Sequence, residues 1–274
     1  MNYMGGKFRQ GKKIAEVVAR LSAGGGRLYY EPFCGAMGSA YQVLDRCGVN
    51  LAGSRLSDVS SPLITMWTAV LNGWEPPDQV TEEFYDYVKL IQDPDDPITA
   101  FVGFGLSFGG KYFGTFARSK PGKKPHGHDA GCAKRSCKRR ASVLSKHGAK
   151  VYCCDYREVI DSGQIFYLDP PYHPGKGRNK CHDFAGGFDT QEFFEYARML
   201  VALGNRVIVT GFDAPDDWRV IHSWGDTVVR HYAGKGSDGT CESIYAHVSQ
   251  VEDGTFDAYL HTKAEGKEAV ARAR

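Results

Sequence analysis

A run of apolar residues that stops at an acid and two prolines constrains this chain more than any other stretch: Gln164-Ile-Phe-Tyr-Leu-Asp169-Pro170-Pro171. The apolar part reads as a strand buried on both faces, the habit of parallel sheets. Pro170 and Pro171 have no N–H to give to a ladder, so the strand must stop at Asp169. A proline also pushes the residue before it into extended geometry. A stiff hook therefore stands at a strand's carboxyl end. It holds the Asp169 carboxylate, the Pro170 carbonyl and, at Tyr172, an aromatic ring. A proline turn that merely closes a strand would satisfy the same residues.

Other segments repeat the strand-then-loop design. Leu28–Tyr30 reads as a strand, Glu31–Gly38 as a tight loop and Ser39–Leu44 as a helix. Gly35 and Gly38 let the backbone approach a ligand near that helix N-terminus. Arg55–Ser57 is a short strand running into Asp58, an acid where nucleotide-binding sheets grip ribose hydroxyls. A helix N-cap explains Asp58 equally well. Val151–Tyr156 and Arg206–Gly211 complete the parallel set, and Val17, Val18 and Leu21 mark a helix ended by residues 23–26. Before Arg206 a helix is signed by Asp189 as cap, Glu192 as capping-box partner and a Phe188–Phe193 staple. Residues 227–232 and 242–248 alternate and read as a closing hairpin.

The fold class is therefore α/β: a mostly parallel sheet with a C-terminal antiparallel hairpin, with ligands expected beyond the strands' carboxyl ends. Residues 62–150 carry helical patterns instead and read as an inserted, mainly helical lobe. The main domain is then 1–61 plus 151–260, with a polar tail at 261–274.

A chain of 274 residues, 42% hydrophobic and 24% charged, has room for one such domain with its insertion. The net charge of +2 does not announce a nucleic-acid binder. Its distribution is more informative: Arg118 to Arg140 holds nine lysines and arginines against Asp129 alone. Such a run is either a solvated surface or a phosphate contact. No stretch approaches a membrane span and no signal-peptide core opens the chain, so a cytoplasmic protein is expected. Its eight cysteines then read as reduced thiols. Cys132 and Cys137 follow His126 and His128 at a spacing unusual for zinc, so no metal is expected. A monomer is expected, because no apolar surface stripe is evident in the sequence.

Three strings carry a resemblance: Tyr3-Met-Gly-Gly-Lys7, Glu31-Pro-Phe-Cys-Gly-Ala-Met-Gly38 and Asp169-Pro-Pro-Tyr172. Together, and in this order, they resemble the Dam-type (D12 class) DNA adenine-N6 methyltransferases. Asp58, Cys153-Cys-Asp-Tyr156 and the segment 236–245 extend the resemblance to roughly Tyr3–Tyr245. At Gly211 and Phe212 the chain departs from the family's Asn-His-Asp-like string, so no role is carried over there.

The resemblance implies a Rossmann-like methyltransferase fold, S-adenosylmethionine as methyl donor, and a flipped adenine in double-stranded DNA as acceptor. It places the chain among enzymes of phages and bacteria, with restriction–modification one possible setting. Catalysis would rest on Asp169, Pro170, Pro171 and Tyr172. The cofactor would meet Tyr3, Lys7, Phe33, Gly35, Asp58, Asp155, Tyr156 and Asp169, with Lys7 near its methionine carboxylate and Asp155 on its adenine amine. An ordinary surface lysine and a core aromatic are the plain alternatives for Lys7 and Tyr156. In the lobe, Lys111, Tyr112, Arg118, Lys134, Arg135 and Arg139 would contact DNA by stacking and phosphate pairing. RNA, a cytosine amine or an inactive nucleic-acid-binding homologue remain alternatives.

Overall fold

Seven strands form one sheet in the order β3-β2-β1-β4-β5-β7-β6. They are β1 (Tyr29–Glu31), β2 (Arg55–Asp58), β3 (Lys150–Cys153), β4 (Ile165–Leu168), β5 (Arg206–Gly211), β6 (Trp218–Ser223) and β7 (Ser243–His247). Strands β1 to β5 pair in parallel. β7 runs antiparallel to both β5 and β6. The computed structural model describes residues 1, 3–47, 51–118, 130–171, 187–224 and 242–256.

Alternation along the strands makes three layers. Tyr29, Ile165, Tyr167 and Ile208 face one apolar core, which includes α1 (Gly11–Leu21) and α2 (Gly38–Arg46). Tyr30, Phe166, Leu168, Val207 and Val209 face the other, against α7 (Thr190–Ala202). Successive side chains of a strand point to opposite faces, so the buried apolar strand residues find a core on one side or the other. This is a Rossmann-like, doubly wound sheet with an antiparallel edge. The strand order reverses between β1 and β4, which opens the ligand crevice of doubly wound folds at their carboxyl ends.

Several local expectations hold in detail. Asp189 caps α7 by accepting from the Gln191 and Glu192 amides at 2.8 and 3.0 Å. Phe188 and Phe193 pack with ring centres 5.5 Å apart. Glu192, expected to close a capping box, accepts instead from Arg157 Nη1 at 3.0 Å, because a guanidinium is in reach. The hairpin needs a correction. β7 pairs with Trp218–Ser223, and residues 227–232 lie outside the described part. The 218–223 run shows poor alternation because Arg219 and Val220 are both exposed on an edge strand with a register shift.

Between β2 and β3 the chain is helical: α3 (Ser61–Leu71), α4 (Glu82–Ile91), α5 (Pro97–Gly105) and α6 (Ala130–Lys146). α8 (Val248–Glu252) follows β7. Trp67, Phe101, Phe104 and Leu144 share one core with Ile14 and Ile165, so these helices pack directly on the sheet layer. The ground for expecting a monomer does not survive. Phe84, Tyr87, Leu90 and Ile91 are exposed on α4, three of them at three- and four-residue steps. Their apolar character was hidden in the sequence by Tyr85 and Val88, which fill the opposite, buried face. Among the described residues no helix is long and apolar enough to cross a membrane.

Candidate active site

Asp169 follows β4 directly, and three elements converge on it. The Lys7 ammonium stands 3.0 Å from Asp169 Oδ1 and 3.1 Å from Glu242 Oε1. Lys7 also donates to the Gly5 carbonyl at 2.9 Å. Three acceptors match the three N–H bonds of an ammonium. Thr210, on β5, donates to Asp169 Oδ1 at 2.8 Å, and its hydroxyl is 3.1 Å from the Tyr167 hydroxyl. Gln10 Nε2 donates to Glu242 Oε2 at 3.2 Å.

The cluster thus holds one ammonium and two carboxylates with little water: Lys7 is 4% exposed and Asp169 15%. Burial pushes the Asp169 carboxyl above its usual range, with Lys7 opposing. Burial would strip Lys7 of its proton, but Asp169 and Glu242 outweigh it and hold the ammonium charged. The structure sets the Lys7 ammonium between these two protein carboxylates. Two buried protein carboxylates claim the charge, since an uncompensated buried ion is costly.

The β1 loop lies beside this cluster. Gly35 has φ +47°, and a Cβ there would come within 3.0 Å of the Tyr3 ring. Its amide donates to Asp58 Oδ2 at 3.0 Å, and Trp67 Nε1 donates to its carbonyl at 3.2 Å. Asp58 Oδ1 accepts from the Ser60 amide at 2.9 Å. Ser60 is the N-cap of α3, so Asp58 ties the tips of β1 and β2 together rather than capping. Burial raises its carboxyl above the usual range against those two amides. Tyr3 feels both Asp58 and Asp169, and burial pushes its phenol well up. The N-terminal segment therefore lies over the crevice, with Met4 N bonded to the Gly110 carbonyl at 3.3 Å.

Phe33 and Tyr156 pack with tilted rings, centres 5.1 Å apart, in a ring cluster with Phe188 and Phe193. Tyr156 is thus a core aromatic on the rim of the crevice. Asp155 accepts from the Arg157 amide at 2.9 Å and pairs with its guanidinium at 2.8 Å, which holds the carboxyl below its usual range. Pro170 and Pro171 follow Asp169 in the described chain, and Tyr172 lies outside it.

Several of the residues expected at DNA have partners within the protein. Lys134 pairs with Asp78 at 2.9 Å and Lys138 with Glu75 at 2.5 Å, while Arg118 pairs with Glu82. Arg135 donates to Cys132 Sγ at 2.8 Å, and Arg139 lies over the Phe8 and Tyr41 rings. Tyr112 packs against Phe104 at 4.6 Å and Phe113 at 4.7 Å, and Lys111 is exposed. Lys123, Lys124, His126 and His128 lie outside the described residues. Among the described residues no group of side chains could hold a metal ion.

Sequence reasoning assigned no role to Glu242, Thr210, Gln10 or Glu31. Glu31 is buried, accepts from Tyr29 Oη at 2.6 Å and from Ser39 Oγ, and burial raises its carboxyl from 4.5 to about 8. A raised folded value means stability that is full below the unfolded value and lost as pH climbs through about 8. Glu31→Gln should therefore gain stability relative to the parent between about pH 5 and about pH 8.5. Urea unfolding at both ends measures it, and parallel pH curves would refute the shift.

Residues 119–204 match the family model for D12 class N6 adenine-specific DNA methyltransferases. No curated protein matches the chain significantly. Among solved structures, the chain is similar to the rRNA methyltransferase aviRa from Streptomyces viridochromogenes, at 14% identity and a TM-score of 0.38 over 88% of this chain and 86% of that one. The matched family segment, about a third of the chain, runs through α6, β3, β4 and α7 and contains Asp155, Tyr156 and Asp169.

Proposed function

We propose that this protein transfers a methyl group from S-adenosylmethionine to the 6-amino group of an adenine extruded from duplex DNA. The observation that carries the reading is Asp169, a carboxylate fixed at the switch point of the sheet by Lys7 and Thr210 and followed by two prolines.

The residues fit the donor. Asp58 offers acceptor oxygens for ribose hydroxyls beside a glycine in the left-handed region, and Phe33 and Tyr156 offer an aromatic wall for an adenine. When bound, S-adenosylmethionine supplies an electrophilic methyl group on a sulfonium. The chain's own work is on the acceptor. An adenine amine is a weak nucleophile because its lone pair is delocalised into the ring. Asp169 accepts one amine hydrogen and the Pro170 carbonyl the other, which favours a tetrahedral nitrogen with its lone pair aimed at the methyl. Burial raises the proton affinity of Asp169, which suits it to take that proton as the N–C bond forms and the methyl's bond to sulfur breaks. Two bonds on Oδ1 fix the carboxylate's plane, and such positioning accounts for much of an enzyme's rate. Extrusion costs a few kcal/mol, and stacking on Tyr172 would return about 1–3.

Labelled methyl transfer into duplex DNA, followed by nucleoside analysis, tests the reading. N6-methyladenine is the expected product; label found only in RNA, only in cytosine, or in neither nucleic acid would overturn it.

Asp58→Ala should weaken S-adenosylmethionine binding by about 1.5–3 kcal/mol, the scale of a hydrogen bond to a charged group. Equilibrium binding without DNA checks this, and an unchanged dissociation constant would leave Asp58 only its tie between β1 and β2. The lobe's ion pairs suggest a further experiment. Glu75→Gln with Asp78→Asn releases Lys134 and Lys138. If those lysines reach phosphates, DNA should bind more tightly, with a salt dependence steeper by up to about 0.9 per added contact. An unchanged salt slope would make that face a solvated surface.

A further inference from the structure

We infer that Glu242 is a positioning residue for methyl transfer: it shares the Lys7 ammonium with Asp169, so that Lys7 fixes the Asp169 carboxylate without neutralising it. The inference rests on the proposed reaction and adds to it a residue from the far, antiparallel side of the sheet.

The geometry is a chain of contacts. Gln10 holds Glu242 Oε2 at 3.2 Å, Glu242 Oε1 holds Lys7 at 3.1 Å, and Lys7 holds Asp169 Oδ1 at 3.0 Å. Glu242 directly precedes β7, and Thr210, which donates to the same Asp169 oxygen, lies on β5, the strand paired with β7. The antiparallel strand thus delivers a second carboxylate to the back of the reacting one. A lysine paired with Asp169 alone would cancel its charge and weaken it as an acceptor of amine hydrogens. A lysine divided between two carboxylates leaves a net negative cluster and still orients Asp169. Burying two acids around one cation is otherwise unfavourable, and packing alone would be served by apolar side chains of similar size.

Among the described residues, the charged groups acting on Asp169 include Glu242 and Lys7. Glu242 raises its proton affinity and Lys7 lowers it. Glu31, held up at about 8, is mainly protonated near neutral pH, and the Tyr3 and Tyr167 phenols are pushed well above their usual value. Among the described residues, Lys7 and Glu242 are therefore the charged neighbours that most affect when Asp169 ionises.

The experiment compares the parent with Glu242→Gln and Glu242→Asp in duplex methylation across pH, with equilibrium binding of S-adenosylmethionine alongside. The parent's product is identified first. A parent that puts no methyl on adenine overturns the functional reading and this inference with it. With an active parent, Glu242→Gln should lower kcat about tenfold while both substrate KM values stay within about twofold, since Glu242 acts through Lys7 and not on either substrate. It should also move the acidic limb of the kcat profile to lower pH by about one unit, because a like charge has left Asp169. Glu242→Asp keeps the charge and should return the limb to the parent's position. An unchanged kcat, a loss shared with KM, or a loss with no movement of the limb would each overturn the assignment. Should Glu242→Gln not fold, Gln10→Leu frees the outer oxygen of Glu242 and leaves both carboxylates in place. It should lower kcat in the same KM-independent way, and a parent-like kcat there would overturn the inference.

Discussion

Asp169→Ala is expected to lower methyl transfer into duplex DNA by about 10²-fold or more, the usual cost of one positioned polar group in a transition state. The fold should survive. Lys7 keeps Glu242 at 3.1 Å and the Gly5 carbonyl at 2.9 Å, so the buried ammonium stays compensated one to one. S-adenosylmethionine binding should change less than turnover, because the loop at Gly35 is anchored by Asp58 and Trp67 and not by Asp169. Single-turnover methylation beside equilibrium binding separates the two. Near-parent turnover would remove Asp169 from the chemistry and return the hook to a strand-ending turn.

Lys7→Met should do the opposite kind of damage. It removes the shared cation and leaves the Asp169 and Glu242 carboxylates buried together. Removing one partner of a buried ion pair typically costs about 3–5 kcal/mol, and here two carboxylates are stranded. The loss must depend on pH. In the variant the Asp169 carboxyl, already raised by burial, loses the ammonium that opposes that rise. Its contribution is then intact below the ordinary carboxylate range of about 4 and is lost as pH rises through the raised folded value. Urea unfolding should show a small difference from the parent in mild acid and a large one above neutrality. A loss of equal size at both would mean that Lys7 contributes packing and not charge.

The hook itself was legible because a proline carries its geometry with it. Missing N–H groups at Pro170 and Pro171 stop a strand wherever that strand lies, and Asp169 is found one residue beyond β4. The capped start of α7 was legible for the same local reason, since Asp189 satisfies amides two and three residues away. Asp58 was harder. A cap and a ribose ligand use the same residue type at the same place, and only the contact with the Gly35 amide, across two strands, shows what its carboxylate holds in the protein. The basic run shows another limit. Charge is counted along a chain, whereas pairing is decided across helices, and Glu75, Asp78 and Glu82 neutralise cations roughly 36 to 63 positions away.

The residues by themselves determined the layered α/β class, the place of the acid hook and, to within a residue, the ends of the parallel strands other than β3, which stops at Cys153 rather than Tyr156. Those depend on periodicity and on backbone chemistry within a few residues. Tertiary structure alone decided the order of the antiparallel edge, with β7 inside β6, and the environment of Asp169. Lys7, Glu242, Thr210 and Gln10 come from three distant parts of the chain, and nothing local in any of them encodes the others. They meet because a sheet whose strand order reverses at β1 and β4, with an antiparallel strand set beside β5, brings the carboxyl end of β4 against the start of β7. Burial at that meeting point then makes their charges matter to one another.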